Sequence, residues 1–436
     1  MNILFLLFAF FVKAQTHSAL ILGEKKQKIS FKLINNLIIL PLDVNDVRGN
    51  FILDTGVKGN IIFLTEEKDF ITNDSLKKIY LKGFGYGTPL EAFVSTGNTI
   101  SFKNLRIEDK EFYLLKDEEL NFSAKTGMTI NGIIGADFFR NNIVKVDYKK
   151  RKVFVYDSNY YYKEKHIGKK VDSIGLVFHS DKPYMEGSVK LFPDNDERTH
   201  VKLLIDTGGT DALWLFKDEN KFQNLPENSF TDFIGESLTG SLHGDKTRIE
   251  DFSFGKFSFG NPIVSFLDED VSENARKIQG RNGTLGADIL KRFTVWFDYG
   301  NQKLFLKKNS DFGKDFYYNM SGLEINYNGS VMTLEFSTRS YSSVNSENSR
   351  VVFSYKYVLK PSYVIANVRK GSPGHLSGLM EGDVLLEINN SSVQEKSYGD
   401  IVEHFYTKKN KMIELLVKRS EEKMRFKFKL IDELDK

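Results

Sequence analysis

The carboxylates that could do chemistry come as a matched pair. Asp54 lies in NFILDTGVKGNIIF (50–63) and Asp206 in KLLIDTGGTDALWL (202–215). Each opens an Asp-Thr-Gly triplet, follows an apolar strand and precedes a second apolar run. A given tripeptide is expected about 0.1 times in a chain of this length at average residue usage, so two copies in matching surroundings need a common cause. One Asp after a strand is ordinarily a turn residue or a helix cap. Two carboxylates ~3 Å apart cannot both ionise near neutrality, and the pair then shares one proton. One member can take a proton from water while the other donates to a carbonyl oxygen.

Such a pair must be positioned by elements that repeat. From Asp54 to Asp206 the offset is 152, and Ile61-Ile62-Phe63 stands against Leu213-Trp214-Leu215 at the same spacing. Gly83 and Gly235 are also 152 apart. Further on, GIIGADFFRNNIVKVDYKKRKVFVYD (132–157) aligns with GTLGADILKRFTVWFDYGNQKLFLKK (283–308) at an offset of 151, carrying Gly135 onto Gly286 and Asp147 onto Asp298. Residues 20–157 and 170–308 are therefore two copies of one unit. Each reads as apolar strands broken by Gly, Asn and Asp turns, with short helices only at GADFFRNN and GADILKRF. A duplicated β unit with one Asp per copy implies a pseudo-two-fold axis passing between the two Asp residues.

Phe51-Ile52-Leu53 and Leu203-Leu204-Ile205 read as buried strands that hold each Asp rigidly. Gly56 and Gly208 let the backbone approach, so that an amide can point at a carboxylate. Thr55 and Thr207 offer hydroxyls that could bond across the axis, or they answer only to β-propensity. KGFGYGTPLEAF (82–93) and IGESLTGSLHGD (234–245) begin at matching distances from their Asp residues. Their glycines suit mobile hairpin tips or ordinary turns; no Lys-Ser/Thr pair follows, as a phosphate loop would require.

Composition narrows the chemistry further. The chain of 436 residues has no cysteine, which excludes disulfides, thiolate metal sites and cysteine nucleophiles. Its seven histidines lack ligand spacing, so no metal and no cofactor is expected. A net charge of +3 without a basic block gives no argument for nucleic acid. The ten apolar residues Ile3–Val12 are too short to span a bilayer and fit the core of a signal peptide (1–14), cut before Gln15; the alternative is a buried first strand. A secreted or periplasmic protein is the expectation.

These motifs resemble a bilobal, retropepsin-like or pepsin-like aspartic protease over 20–308. The strand–Asp-Thr-Gly motif, the Gly-rich segments and the triplets Ile133-Ile134-Gly135 and Thr284-Leu285-Gly286 carry the resemblance. It implies two homologous acid-protease β-barrel lobes, Asp54 and Asp206 as the catalytic dyad, and Thr55 and Thr207 interlocking the lobes, supported by Gly56, Gly208, Gly135 and Gly286. It also implies flaps at Gly83, Gly85, Tyr86 and Gly87 and at Gly235 and Gly240, closing over an extended peptide. The chain departs from the family after the triplets, where Val57 and Gly209 have no side-chain donor for the carboxylates. That departure suggests a less acidic optimum than gastric-type relatives show.

Residues 318–432 resemble a PDZ domain (α+β), most clearly at VRKGSPGHLSGLMEGDVLLEINNSSV (368–393). MSGLEINYN (320–328) matches the carboxylate-binding loop of that family at Gly322, Leu323 and Ile325, with Glu324 a departure. STRSYSSVNSENSR (337–350) reads as a Ser/Asn-rich loop. The repeat ends before 310, so the lobes are expected to fold without 310–436. The whole reads as a mainly β aspartic endopeptidase acting on peptide or protein substrates, with a module for a C-terminal peptide ligand. A monomer containing an internal pseudo-dimer is expected. The alternative is a catalytically inactive peptide-binding protein on the same scaffold.

Overall fold

A computed structural model describes residues 20–21, 26–64, 69–71, 76–81, 89–116, 122–157, 161, 170–194, 196–218, 221–222, 224–237, 240–341 and 350–435. The apolar run Ile3–Val12 and the cleavage position lie outside the described residues. The chain is mainly β, with sheets of nine, six, ten and six strands among the described residues. The nine-stranded sheet belongs to the first repeat and the ten-stranded sheet to the second.

In each repeat the strand leading to Asp runs parallel to the strand that leads to Gly135 or Gly286. Val47–Leu53 pairs with Gly132–Ile134, and Thr199–Ile205 with Arg281–Leu285. The buried run Phe51, Ile52, Leu53 and its copy Leu203, Leu204, Ile205 explains why these strands stay put. Each such side chain contributes about 1.5–3 kcal/mol when removed from water. The second copy has a register shift between Lys202 and Leu203, just before the paired glycine, close to where the offset drops to 151.

The repeats meet in a six-stranded sheet that neither could form alone. Ile143–Asp147 lies antiparallel to Phe293–Asp298, with Val144 opposite Phe297, Lys145 opposite Trp296 and Val146 opposite Val295. Exchanging each residue for its counterpart 151 away returns the same set of pairs, so this register is itself two-fold symmetric. Two tight hairpins add a reciprocal clasp. Asn36, from the first repeat, donates to Thr210 O (2.7 Å) and accepts from Lys291 Nζ (3.0 Å). Asp181, at the matching tip of the second, pairs with Lys58 (3.2 Å) and Arg140 (2.9 Å).

The fourth sheet is the C-terminal one. It contains Leu323–Tyr341, Arg350–Val368, Val384–Ile388, Met412–Arg419 and Glu422–Lys429. Helix Tyr398–Glu403 starts with a reciprocal cap between Ser397 and Asp400, and Ser372 caps Pro373–Leu376. The expected loop at 337–350 is narrower than its composition suggests. Cross-strand pairing continues to Tyr341 opposite Arg350, placing β-formers such as Thr338 in the ladder; 342–349 lie outside the described residues. The connecting segment also belongs more to the second repeat than its position implies. Phe312 and Phe316 pack on Phe259, and Arg292 sits over the Phe316 ring at 3.6 Å. Removal from 310 onward would strip that cover from the second repeat.

Candidate active site

The backbone delivers each Asp in the same way. Asp54 N–H donates to Ile134 O (2.9 Å) and Asp206 N–H to Leu285 O (3.0 Å). The chain then turns so that Gly56 N–H returns to Asp54 Oδ1 (2.7 Å) and Gly208 N–H to Asp206 Oδ1 (2.8 Å). The glycines face the opposite carboxylate. A Cβ on Gly56 would lie 2.5 Å from Asp206 Oδ2, and one on Gly208 would strike the Asp54 carboxylate. The structure therefore brings the two Asp side chains together across the axis.

Beneath them the threonines cross over. Thr55 Oγ1 donates to Ile205 O (2.7 Å) and accepts from Thr207 N (3.0 Å); Thr207 Oγ1 donates to Leu53 O (2.7 Å) and accepts from Thr55 N (3.1 Å). Both are fully buried. These four bonds use a donor and an acceptor on each side chain, which strand propensity alone does not require. Gly135 and Gly286 support the loops from behind. A Cβ there would collide with Gly59 O or Asp211 O, while the next residues, Ala136 and Ala287, donate to Val57 O and Gly209 O, each at 2.7 Å.

Burial pushes the Asp54 carboxyl well above the usual range, and the Asp206 charge and hydrogen bond push it the same way. Gly56 N–H and Lys182 oppose the shift. The proximity of Asp206 and burial thus both favour the protonated form of Asp54. The donors are unequal: Asp206 Oδ1 also accepts from Gly209 N–H (3.0 Å). The expected lack of a donor at position 209 is thus true of its side chain but not of its backbone.

Three side chains around the pair were not legible as site residues. Lys182 is pushed down by burial, then by Arg281, while both Asp charges pull it up. Arg281, also pushed down by burial, donates to Thr284 Oγ1 (3.0 Å) and lies over the Tyr184 ring. Tyr299 is raised by burial and then by Asp54 and Asp206, and its hydroxyl has no hydrogen-bond partner among the described residues. Asn131 and Asn282 were also missed. Their Oδ1 atoms accept from Asn50 N and Lys202 N, both at 3.0 Å, fixing the strands that lead to Asp. Extending the GIIGAD/GTLGAD comparison one residue back would have found them.

Of the flap residues, Gly83, Gly85, Tyr86 and Gly87 lie outside the described residues. They fall between paired strands Lys77–Leu81 and Leu90–Phe102. Gly235 and Gly240 lie in the antiparallel strands Ser229–Ser237 and Gly240–Arg248, with Gly235 facing Trp214. In the C-terminal sheet, Gly322 has φ +70° and no room for a Cβ beside Ser372. Leu323 and Ile325 are buried. Leu323 O accepts from Asn319 Nδ2 and Ile325 O from Tyr398 Oη (2.8 and 2.9 Å). A peptide adding as a strand along this edge would compete for those two carbonyls.

Residues 364–419 match the family model of the PDZ domain. The chain is similar to the solved crystal structure of the aspartic proteinase from Irpex lacteus, at 13% identity and a TM-score of 0.41. That likeness covers 65% of this chain and 98% of the other. No curated protein matches it.

Proposed function

We propose that the chain is an aspartic-type endopeptidase whose Asp54–Asp206 pair activates water, with the PDZ module binding peptide chains beside the lobes. The observation that carries this reading is the mutual placement of the two carboxylates, each against the other repeat's glycine. Asp206, held by two backbone donors, takes a proton from water as the water oxygen bonds to the peptide carbonyl carbon. Protonated Asp54 gives its proton to the carbonyl oxygen. The resulting tetrahedral diol collapses as protonated Asp206 gives its proton to the amide nitrogen and Asp54 takes one back from a diol hydroxyl, and the C–N bond breaks without an acyl-enzyme. Neither a metal nor a cofactor takes part. The apolar N-terminal run supports placing the protein outside the cytoplasm, secreted or periplasmic.

The test is cleavage of an unstructured polypeptide by the full chain between about pH 3 and pH 8. Products are read by mass spectrometry in ¹⁸O-labelled water. One label should enter each new carboxyl group, and Asp54→Asn or Asp206→Asn should abolish cleavage. A folded chain that binds a statine-type peptide yet cleaves nothing would instead be a peptide-binding protein on this scaffold.

A further inference from the structure

Beyond Ser330 and Pro361 the strands Leu323–Tyr341 and Arg350–Val368 leave the C-terminal sheet. They continue as a ribbon that pairs with no third strand among the described residues. Met332 faces Leu359, Leu334 faces Tyr357 and Phe336 faces Tyr355, so all six side chains share one face. They are 55–72% exposed. The opposite face is mixed: Val331, Thr333 and Val358 share it with Glu335, which pairs with Lys356 (3.5 Å) and Lys360 (2.6 Å). A two-stranded ribbon is marginal in water by itself, and a contiguous apolar patch of this size marks an interaction site.

We propose that this apolar face packs against the same face of a second copy, forming a two-fold dimer through the ribbons. The six side chains expose on the order of 800 Å², about what one partner contributes to a standard interface. A two-fold interface must be self-complementary. This face satisfies that condition because it carries no charge, so its copy meets no repulsion. A membrane surface fits less well: the nearby Lys356 and Lys360 are already paired with Glu335 and do not form a basic rim. A peptide added as a strand would use the ribbon's edges and leave the face wet. The arrangement departs from the monomer expected of a chain with an internal pseudo-dimer.

Sedimentation velocity of the full chain from about 1 to 100 µM should show a dimer. The double variant Leu334→Lys/Tyr357→Lys should sediment as a monomer, with its dissociation constant raised on the order of 100-fold or more, and its thermal midpoint should not rise with chain concentration as that of the wild type does. The chain has no cysteine, so Leu334→Cys carries a single thiol. A short bis-maleimide should link it into covalent dimers, whereas Thr333→Cys on the other face should link poorly. A wild-type monomer throughout, a dimer indifferent to the lysines, or equal linking at 333 and 334 would overturn the proposal. So would a monomer that co-sediments with phosphatidylcholine–phosphatidylglycerol vesicles, which would assign the face to a membrane.

Discussion

Gly56→Ala should disable the site with one methyl group. A Cβ at Gly56 would stand 2.5, 2.6 and 2.7 Å from Asp206 Oδ2, Cγ and Oδ1. Ordinary contact begins near 3.4 Å, so the carboxylate must retreat by about 0.9 Å. Gly56 does not need glycine for its backbone, since its φ lies outside the left-handed range; the effect comes from the collision. Asp206 cannot rotate freely, because Gly208 and Gly209 N–H groups both hold its Oδ1. A misplacement near 1 Å costs on the order of 100-fold in rate, and overpacking costs about 1–3 kcal/mol in stability. The assay is initial-rate cleavage of a fluorogenic, unstructured peptide, with KM and kcat separated. The loss should fall mainly on kcat. Gly260→Ala is the control, since a Cβ there meets nothing within 4 Å. If Gly56→Ala stays folded and keeps a rate within about threefold of wild type, the two carboxylates do not work from this close placement.

Thr55→Val keeps the shape of the side chain but removes its hydroxyl from Ile205 O and Thr207 N, leaving two buried groups without partners. It should cost about 2–4 kcal/mol in urea unfolding, and a loss under roughly 0.5 kcal/mol would refute the cross-axis role. Tyr148→Phe should stabilise by about 0.5–2 kcal/mol, because the Tyr148 hydroxyl is buried without a partner among the described residues; a lower denaturation midpoint would count against this. Asp54→Asn should abolish cleavage yet stabilise the fold at neutral pH. Folded Asp54 binds its proton more tightly than the ordinary value near 3.8 allows, so the native state loses stability as pH rises through the raised value. The substituted amide has no proton to lose. The variant's advantage in urea midpoint should therefore be larger at about pH 8 than at about pH 5, and an advantage that shrinks would reverse the sign of the argument.

The residues on the axis were legible because their pattern is local and occurs twice. Asp54, Thr55 and Gly56 and their copies need only the triplet and the constant offset. Lys182 could not be found that way. It stands 24 residues before Asp206 at the foot of the His179–Lys182 hairpin, and only the fold swings it toward the carboxylates. Tyr299 was in view as part of a repeated Asp-Tyr, but its approach to the pair depends on the shared sheet between the repeats. Gly209 was judged by its missing side chain, although the atom that acts is its amide. In the C-terminal module the loop at Gly322 was readable, whereas Tyr398, which closes on Ile325 O from 73 residues away, was not.

The duplication is nearly symmetric in backbone and unequal in charge around the two Asp residues. Lys182 follows the Ser180–Asp181 turn, while its counterpart after the Asn35–Asn36 turn is Leu37. Arg281 precedes Asn282, while its counterpart before Asn131 is Ile130. In both cases the second repeat supplies a cation and the first an apolar side chain. Asp206 also receives the extra amide of Gly209, while Asp54 has the amide of Gly56. Cations and N–H donors favour the ionised carboxylate. The Arg281 charge acts on Asp206, and the Lys182 charge on both. The cations and the extra amide thus fall on the Asp206 side of the axis, while burial and the Asp206 charge push the Asp54 carboxyl up. A symmetric pair of identical subunits would repeat each cation on both sides. Two units in one chain can instead carry a cation on one side of the axis only.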